Sequence, residues 1–126
     1  EGANTYTGAT TVDADGGNFL ITGTGSLGSL SSGTRTYSGN ITITSATSTF
    51  TYDSSTNQTL SGTISGAGTL KKTTSESSRL RLTGTNSSYS GTINADAGIL
   101  SIGSNAALGT TAGTTTIGTA STAATL

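Results

Sequence analysis

Residues 80–103 read LRLTGTNSSYSGTINADAGILSIG, and the way they alternate decides the fold. Arg79-Leu80-Arg81-Leu82 alternates charged and apolar residues, the two-residue period of a half-buried strand. Thr83-Gly84-Thr85-Asn86 supplies turn chemistry, Tyr89-Ser90-Gly91 leads into a Thr-headed strand, and Gly98-Ile99-Leu100-Ser101-Ile102 is a further short strand. A coil of about this length holds two or three strands and the turns between them.

The same grammar extends in both directions. Thr10-Thr11-Val12, Phe19-Leu20-Ile21, Asn40-Ile41-Thr42-Ile43-Thr44, Thr49-Phe50-Thr51-Tyr52 and Thr114-Thr115-Thr116-Ile117 are short strand signals. Asp15-Gly16-Gly17-Asn18 and Ser65-Gly66-Ala67-Gly68 are breakers between them. No segment sustains a helical period.

A small motif recurs: an aromatic or apolar residue, a small residue, Gly, then a Thr-rich strand. It stands at Tyr6-Thr7-Gly8, Tyr37-Ser38-Gly39, Leu60-Ser61-Gly62, Tyr89-Ser90-Gly91 and, more loosely, Thr111-Ala112-Gly113. Its glycines are 31, 23, 29 and 22 residues apart. Repetition on that scale marks a solenoid whose coils carry loops of unequal length. The expected fold is all-β, a parallel β-helix (β-solenoid) of about five or six coils spanning 1–126 as one unit. Stacking at about 4.8 Å per coil makes a rod segment roughly 25–30 Å long.

Composition agrees. Of 126 residues, 30% are hydrophobic and 9% charged, below the usual globular share of both. Thr suits pleated strands, Gly permits tight corners, and the absence of Pro fits a backbone in which nearly every N–H donates to a ladder. The formal charge of −1 gives no footprint for nucleic acid or an anionic membrane, and the basic residues are scattered apart from Lys71-Lys72 and Arg79/Arg81. Without Cys or His the chain lacks disulfides, thiol nucleophiles and the commonest general base and metal ligand. Its apolar runs are too short for a transmembrane helix.

The run 80–103 strongly resembles the autotransporter-associated β-strand repeat, the passenger-associated transport repeat of autotransporter proteins. Residues 60–72 resemble the upstream half of that repeat, and 2–12 match it again. The resemblance implies a right-handed parallel β-helix outside the bacterial cell, in adhesins and other large surface proteins, with no catalytic residues to carry over. Ser87-Ser88 and the stretch around 24–58 depart from the pattern, and a bulge or longer loop is the expected accommodation.

The absence of Met suggests a processed product or an excerpt. If Leu126 were followed by another Glu1, the joined text Ala124-Thr125-Leu126-Glu1-Gly2-Ala3-Asn4-Thr5-Tyr6-Thr7-Gly8 would parallel Leu80 through Gly91. The step from Gly113 to that next Gly8 would be 21, close to the preceding 22. One period of a longer tandem array or a head-to-tail filament is therefore expected, its neighbours joined by peptide bonds, coil stacking or strand exchange.

Candidate sites are few. Asp13 and Asp15 put two carboxylates on one face, as calcium loops do, but no third acid follows and a solvated turn is the reading. Thr42/Thr44, Thr49/Thr51 and Thr114–Thr116 form Thr-x-Thr pairs, read as ladder residues over hydroxyl arrays that bind ice or sugars. Asn40, Asn57 and Asn86 begin Asn-x-Ser/Thr triplets, which matter only in a glycosylating host. Tyr6, Tyr37 and Tyr89 are expected to pack at coil corners, with carbohydrate stacking the lesser reading. The six acids are dispersed, against the paired carboxylates of glycoside hydrolysis. No catalytic, metal or cofactor-binding residue is assigned. The expected role is a structural unit of an extracellular bacterial rod, stalk or filament; the rival is an adhesin segment binding a glycan or host surface.

Overall fold

The computed structural model describes residues 2–13, 15–73, 77–118 and 124–125. The chain winds through about five coils. The first contains β1 (Ala3–Asn4), β2 (Thr10–Val12) and β3 (Asn18–Gly23), followed by β4 (Ser26–Leu27), β5 (Ser29–Ser31) and β6 (Thr34–Tyr37). The second runs β7 (Ile41–Ile43), β8 (Thr49–Ser54), β9 (Gln58–Leu60), and the third β10 (Ile64–Gly66), β11 (Thr69–Lys72), β12 (Arg79–Leu82). Then come β13 (Thr92–Ala95), β14 (Gly98–Ile102), β15 (Thr114–Ile117) and β16 (Ala124–Thr125).

Equivalent strands of successive coils pair in parallel and build three faces. One face orders β10-β7-β2, the second β15-β13-β11-β8-β3, and the third β16-β14-β12-β9-β6-β5. Parallel partners lie one coil apart in sequence: Thr42 faces Ser65, 23 residues on, and their hydroxyls meet at 3.2 Å. The expected β-solenoid is thus observed, with no helix among the described residues. None is therefore long and apolar enough to cross a membrane.

Side chains pointing inward stack on their own equivalents. Phe19, Phe50, Leu70 and Ile93 form one interior column, and Tyr37, Leu60 and Leu82 another. Phe19 and Phe50 stack with ring centroids 5.1 Å apart. In β12 the alternation is fully expressed: Leu80 and Leu82 are buried, Arg79 and Arg81 exposed. Period-2 patterning selects which face of each strand enters the core, and stacking lets a chain poor in apolar residues fill it.

The loose stretch after residue 24 is a hairpin, not a bulge. β5 and β6 pair antiparallel, with Ser31 opposite Thr34. Ser32 and Gly33 between them have φ of 49° and 78°, the two positive values that a two-residue I′ turn demands. The insertion makes the first coil longer than the others: Thr10 lies opposite Ile41, whereas Ile41 lies opposite Ile64. β4 meanwhile pairs with β1, so the inserted residues leave the coil path and rejoin it at β6.

The recurrent glycines do not form one column. A Cβ on Gly39 would collide with the carbonyl of Gly8, one on Gly62 with Gly39, and one on Gly84 with Gly62. Gly91 instead lies on Gly68, and Gly113 on Gly91. Two corners therefore carry glycine columns, and the irregular 29-residue step was a comparison between corners. The glycine count from Gly113 to a following Gly8 likewise joins two columns; Leu126 and Glu1 of that junction lie outside the described residues.

Close backbone approach at these corners sets a testable cost. Gly62→Ala is expected to lower stability by about 2 kcal/mol or more, because the obstacle is backbone and cannot turn aside. Gly2→Ala, with open space around it, is expected to leave the thermal midpoint unchanged. Circular-dichroism melts of the two variants compare them directly.

Candidate functional site

Tyr-x-Gly is a local corner device. The ring of each tyrosine lies over the glycine two residues on: a Cβ at Gly8 would come within 2.9 Å of the Tyr6 ring, and one at Gly91 within 2.9 Å of Tyr89. Tyr89 is fully buried; the carbonyls of Gly68 and Thr92, each 2.8 Å away, share its single hydroxyl proton, and the oxygen accepts from the Leu70 amide at 3.0 Å. Burial pushes this phenol well above its ordinary pKa. Tyr37 is equally buried, bonded to Gly8 O and, at 2.7 Å, to the Thr10 hydroxyl. Tyr6 stacks on Tyr37 with centroids 6.1 Å apart and stays 45% exposed. Tyr37 and Tyr89 are corner-packing residues, as expected, and neither presents a ring to a ligand.

The asparagines bond across coils. Asn86 is 1% exposed; its Oδ1 accepts from the Ile64 amide at 2.7 Å and its Nδ2 donates to the Ala107 carbonyl at 2.7 Å. One side chain thereby ties the coil below to the coil above, with its oxygen and its nitrogen both engaged. Asn40 and Asn57 are exposed, and their Oδ1 atoms accept from Thr63 and Arg79 amides in the next coil at 3.0 and 2.9 Å.

Two buried polar residues escape a reading by composition. Gln58 accepts from the Leu27 amide and donates to the Leu27 and Arg35 carbonyls, replacing the ladder where the hairpin interrupts it. Lys72 is 1% exposed, with Nζ donating to Ser78 Oγ at 2.7 Å and lying 5.6 Å from the Tyr52 ring centroid. Burial depresses its pKa, opposed by the nearby Asp53 carboxylate. The strand alternation signals this, since Leu70 and Lys72 share a face.

The remaining candidates separate. Asp15 meets Ser45 Oγ at a marginal 3.5 Å, and the Gly16 amide donates to Thr47 Oγ1 at 3.0 Å, giving turn contacts. Ala14 lies outside the described residues, and among those described no group of three acids gathers that could hold a metal. Asp53 and Asp96 lie on the second face; Thr73 donates to Asp53 at 2.8 Å, and Lys71 pairs with Asp96 at 3.0 Å. Thr49, Thr69, Thr92 and Thr114 stack as one ladder on that face. The neighbouring column reads Leu20, Thr51, Lys71, Asn94 and Thr116, with Thr51 buried, so the threonines make a single file and not a regular two-rank array.

The third face carries a polar groove. Arg79 and Arg81 project from β12, and beside them Asn57, Thr59, Thr36 and Ser31 line a groove of about 310 Å³ running to the hairpin. Its geometry combines two guanidinium groups with hydroxyl and amide donors and acceptors. Neither family models, curated proteins nor solved structures give a match to this chain.

Lys72 yields a pH-dependent prediction. With a folded-state pKa below the unfolded 10.5, the unfolded chain holds more protons between those two values, so stability rises with pH across that window. The stability of the parent relative to Lys72→Met is expected to grow as pH rises toward 10.5, a difference in which the tyrosine contribution, common to both proteins, cancels. Chemical denaturation of the two proteins from pH 7 to 10.5 measures it; a difference that does not change with pH would contradict the assignment.

Proposed function

We propose that this chain is a non-catalytic structural unit of a bacterial surface rod, stalk or filament, built on a passenger-type repeat of autotransporter-like proteins and placed outside the cell. The observation that carries this reading is parallel register through successive coils, joined at the corners by asparagine hydrogen bonds and close glycine approaches directed along the axis. Such a core has its side chains committed to holding one coil against the next. The stretch that resembles the autotransporter-associated repeat, 80–103, spans β12, the Tyr89 corner, β13 and β14, which is one full circuit, and this supports that kinship.

Extension along the axis follows from the edges. β2 and β3 end the first two faces in parallel order, and the hydrogen-bonding groups on their outer edges are templates for a further parallel strand. The third face ends differently, in the antiparallel strand β5. At the opposite end the second face finishes in β15, while the first face stops at β10 in the third coil, so axial addition of an identical unit would bring β3 against β15 and meet β1 and β4 at the third corner, instead of continuing all three ladders alike.

Joining two copies, Leu126 directly to Glu1, tests the proposal. Small-angle X-ray scattering is expected to show one stiff particle longer than the single copy by roughly 24 Å, five rungs at about 4.8 Å. A dumbbell profile of two particles on a flexible joint would contradict end-to-end stacking.

A further inference from the structure

We propose that the groove beside Arg79 and Arg81 is a binding site for an anionic saccharide, one bearing carboxylates or sulfates. This goes beyond the mechanical role and does not depend on it, since a rod can hold ligands on its flank.

The two arginines are outward-facing positions i and i+2 of β12, so their Cα atoms are separated by about 6.6 Å on one flat face. Like charges that close repel, and an anion lying across both relieves the repulsion. Of the five basic residues in the chain, the other three are engaged: Lys71 with Asp96, Lys72 with Ser78, and Arg35 with the Gly28 carbonyl. No ion pair holds Arg79 or Arg81 among the described residues. Positive charge in a chain of net −1 is thus concentrated at one groove, where it is exposed and ready to donate bidentate bonds to carboxylate or sulfate.

The floor selects the rest of the ligand. Thr36 and Thr59 stand in register on adjacent strands, so their hydroxyls are spaced by the strand separation of about 4.8 Å. Asn57 and Ser31 add an amide and a hydroxyl at the rim. Such a surface pairs with the hydroxyls of sugar rings. It has no aromatic side chain for a base to stack on, which argues against single-stranded nucleic acid, the other common polyanion. A groove of about 310 Å³ lies at the small end of the range for ligand sites, fit for a short segment of a chain gripped from one side.

Isothermal titration at low salt with oligogalacturonate, dextran sulfate, unmodified dextran and a single-stranded oligodeoxynucleotide tests the site. Binding to at least one of the two anionic saccharides is expected, weakening as salt screens the charges, with the carboxylate and sulfate arms showing which anion is preferred. Arg79→Gln and Arg81→Gln should each weaken it about tenfold, as losing one charge-assisted contact does, and Lys71→Gln should change it less than about twofold. All three variants should keep the parent thermal midpoint within a few degrees. Absence of binding to both anionic saccharides, equal binding of dextran or the oligonucleotide, or an equal loss in Lys71→Gln would overturn the proposal. None of these outcomes alters the scattering profile of the joined rod, so the two readings fail separately.

Discussion

Backbone hydrogen bonding between successive coils is the constraint on which everything else in this protein depends. A single coil encloses too little apolar surface to hold itself closed, and apart from the β1–β4 and β5–β6 pairs of the first coil its strands have no partners within the coil. The neighbour supplies both. For the backbones to come within strand spacing at the corners as well as on the faces, side chains there must be absent or must themselves make axial bonds. Gly39, Gly62 and Gly84 meet the first condition; Asn86 and Tyr89 meet the second.

The same constraint explains how polar groups come to be inside. Gln58 sits in an interior position because the hairpin displaces Leu27 from the ladder, and its amide reproduces the backbone bonds that were lost. Lys72 enters because alternation along β11 leaves it no other side, and the Ser78 hydroxyl and Tyr52 ring receive the ammonium. Each is a local exception tolerated because its hydrogen bonds are made.

Much of the fold was legible in the residues. Arg79–Leu82, Gly98–Ile102, Thr114–Ile117 and Thr10–Val12 are strands with the bounds their alternation indicates. Strands with one apolar residue, such as Gln58–Leu60, carried too little periodicity to stand out. The corner assignments were harder, because Tyr-x-Gly is a local packing solution that works at either corner; identical text at Tyr37 and Tyr89 therefore does not imply the same place in the coil. The hairpin had a signal in Ser32-Gly33, masked by the Ser- and Thr-rich composition around it. The groove at Arg79 and Arg81 needed three dimensions, since Thr36, Thr59 and Arg81 are brought side by side only by stacking.

If coils are interchangeable units held by axial register, one can be removed whole. Excision of residues 63–84, from after Gly62 through Gly84, takes out β10, β11 and β12 together and lets the second coil stack on the fourth. The product is expected to be a shorter protein that still unfolds cooperatively in a circular-dichroism melt, whereas excising only 63–73 puts the remaining strands out of register and abolishes the transition. Loss of cooperative unfolding in the whole-coil excision, or its survival in the partial one, would contradict such interchangeability.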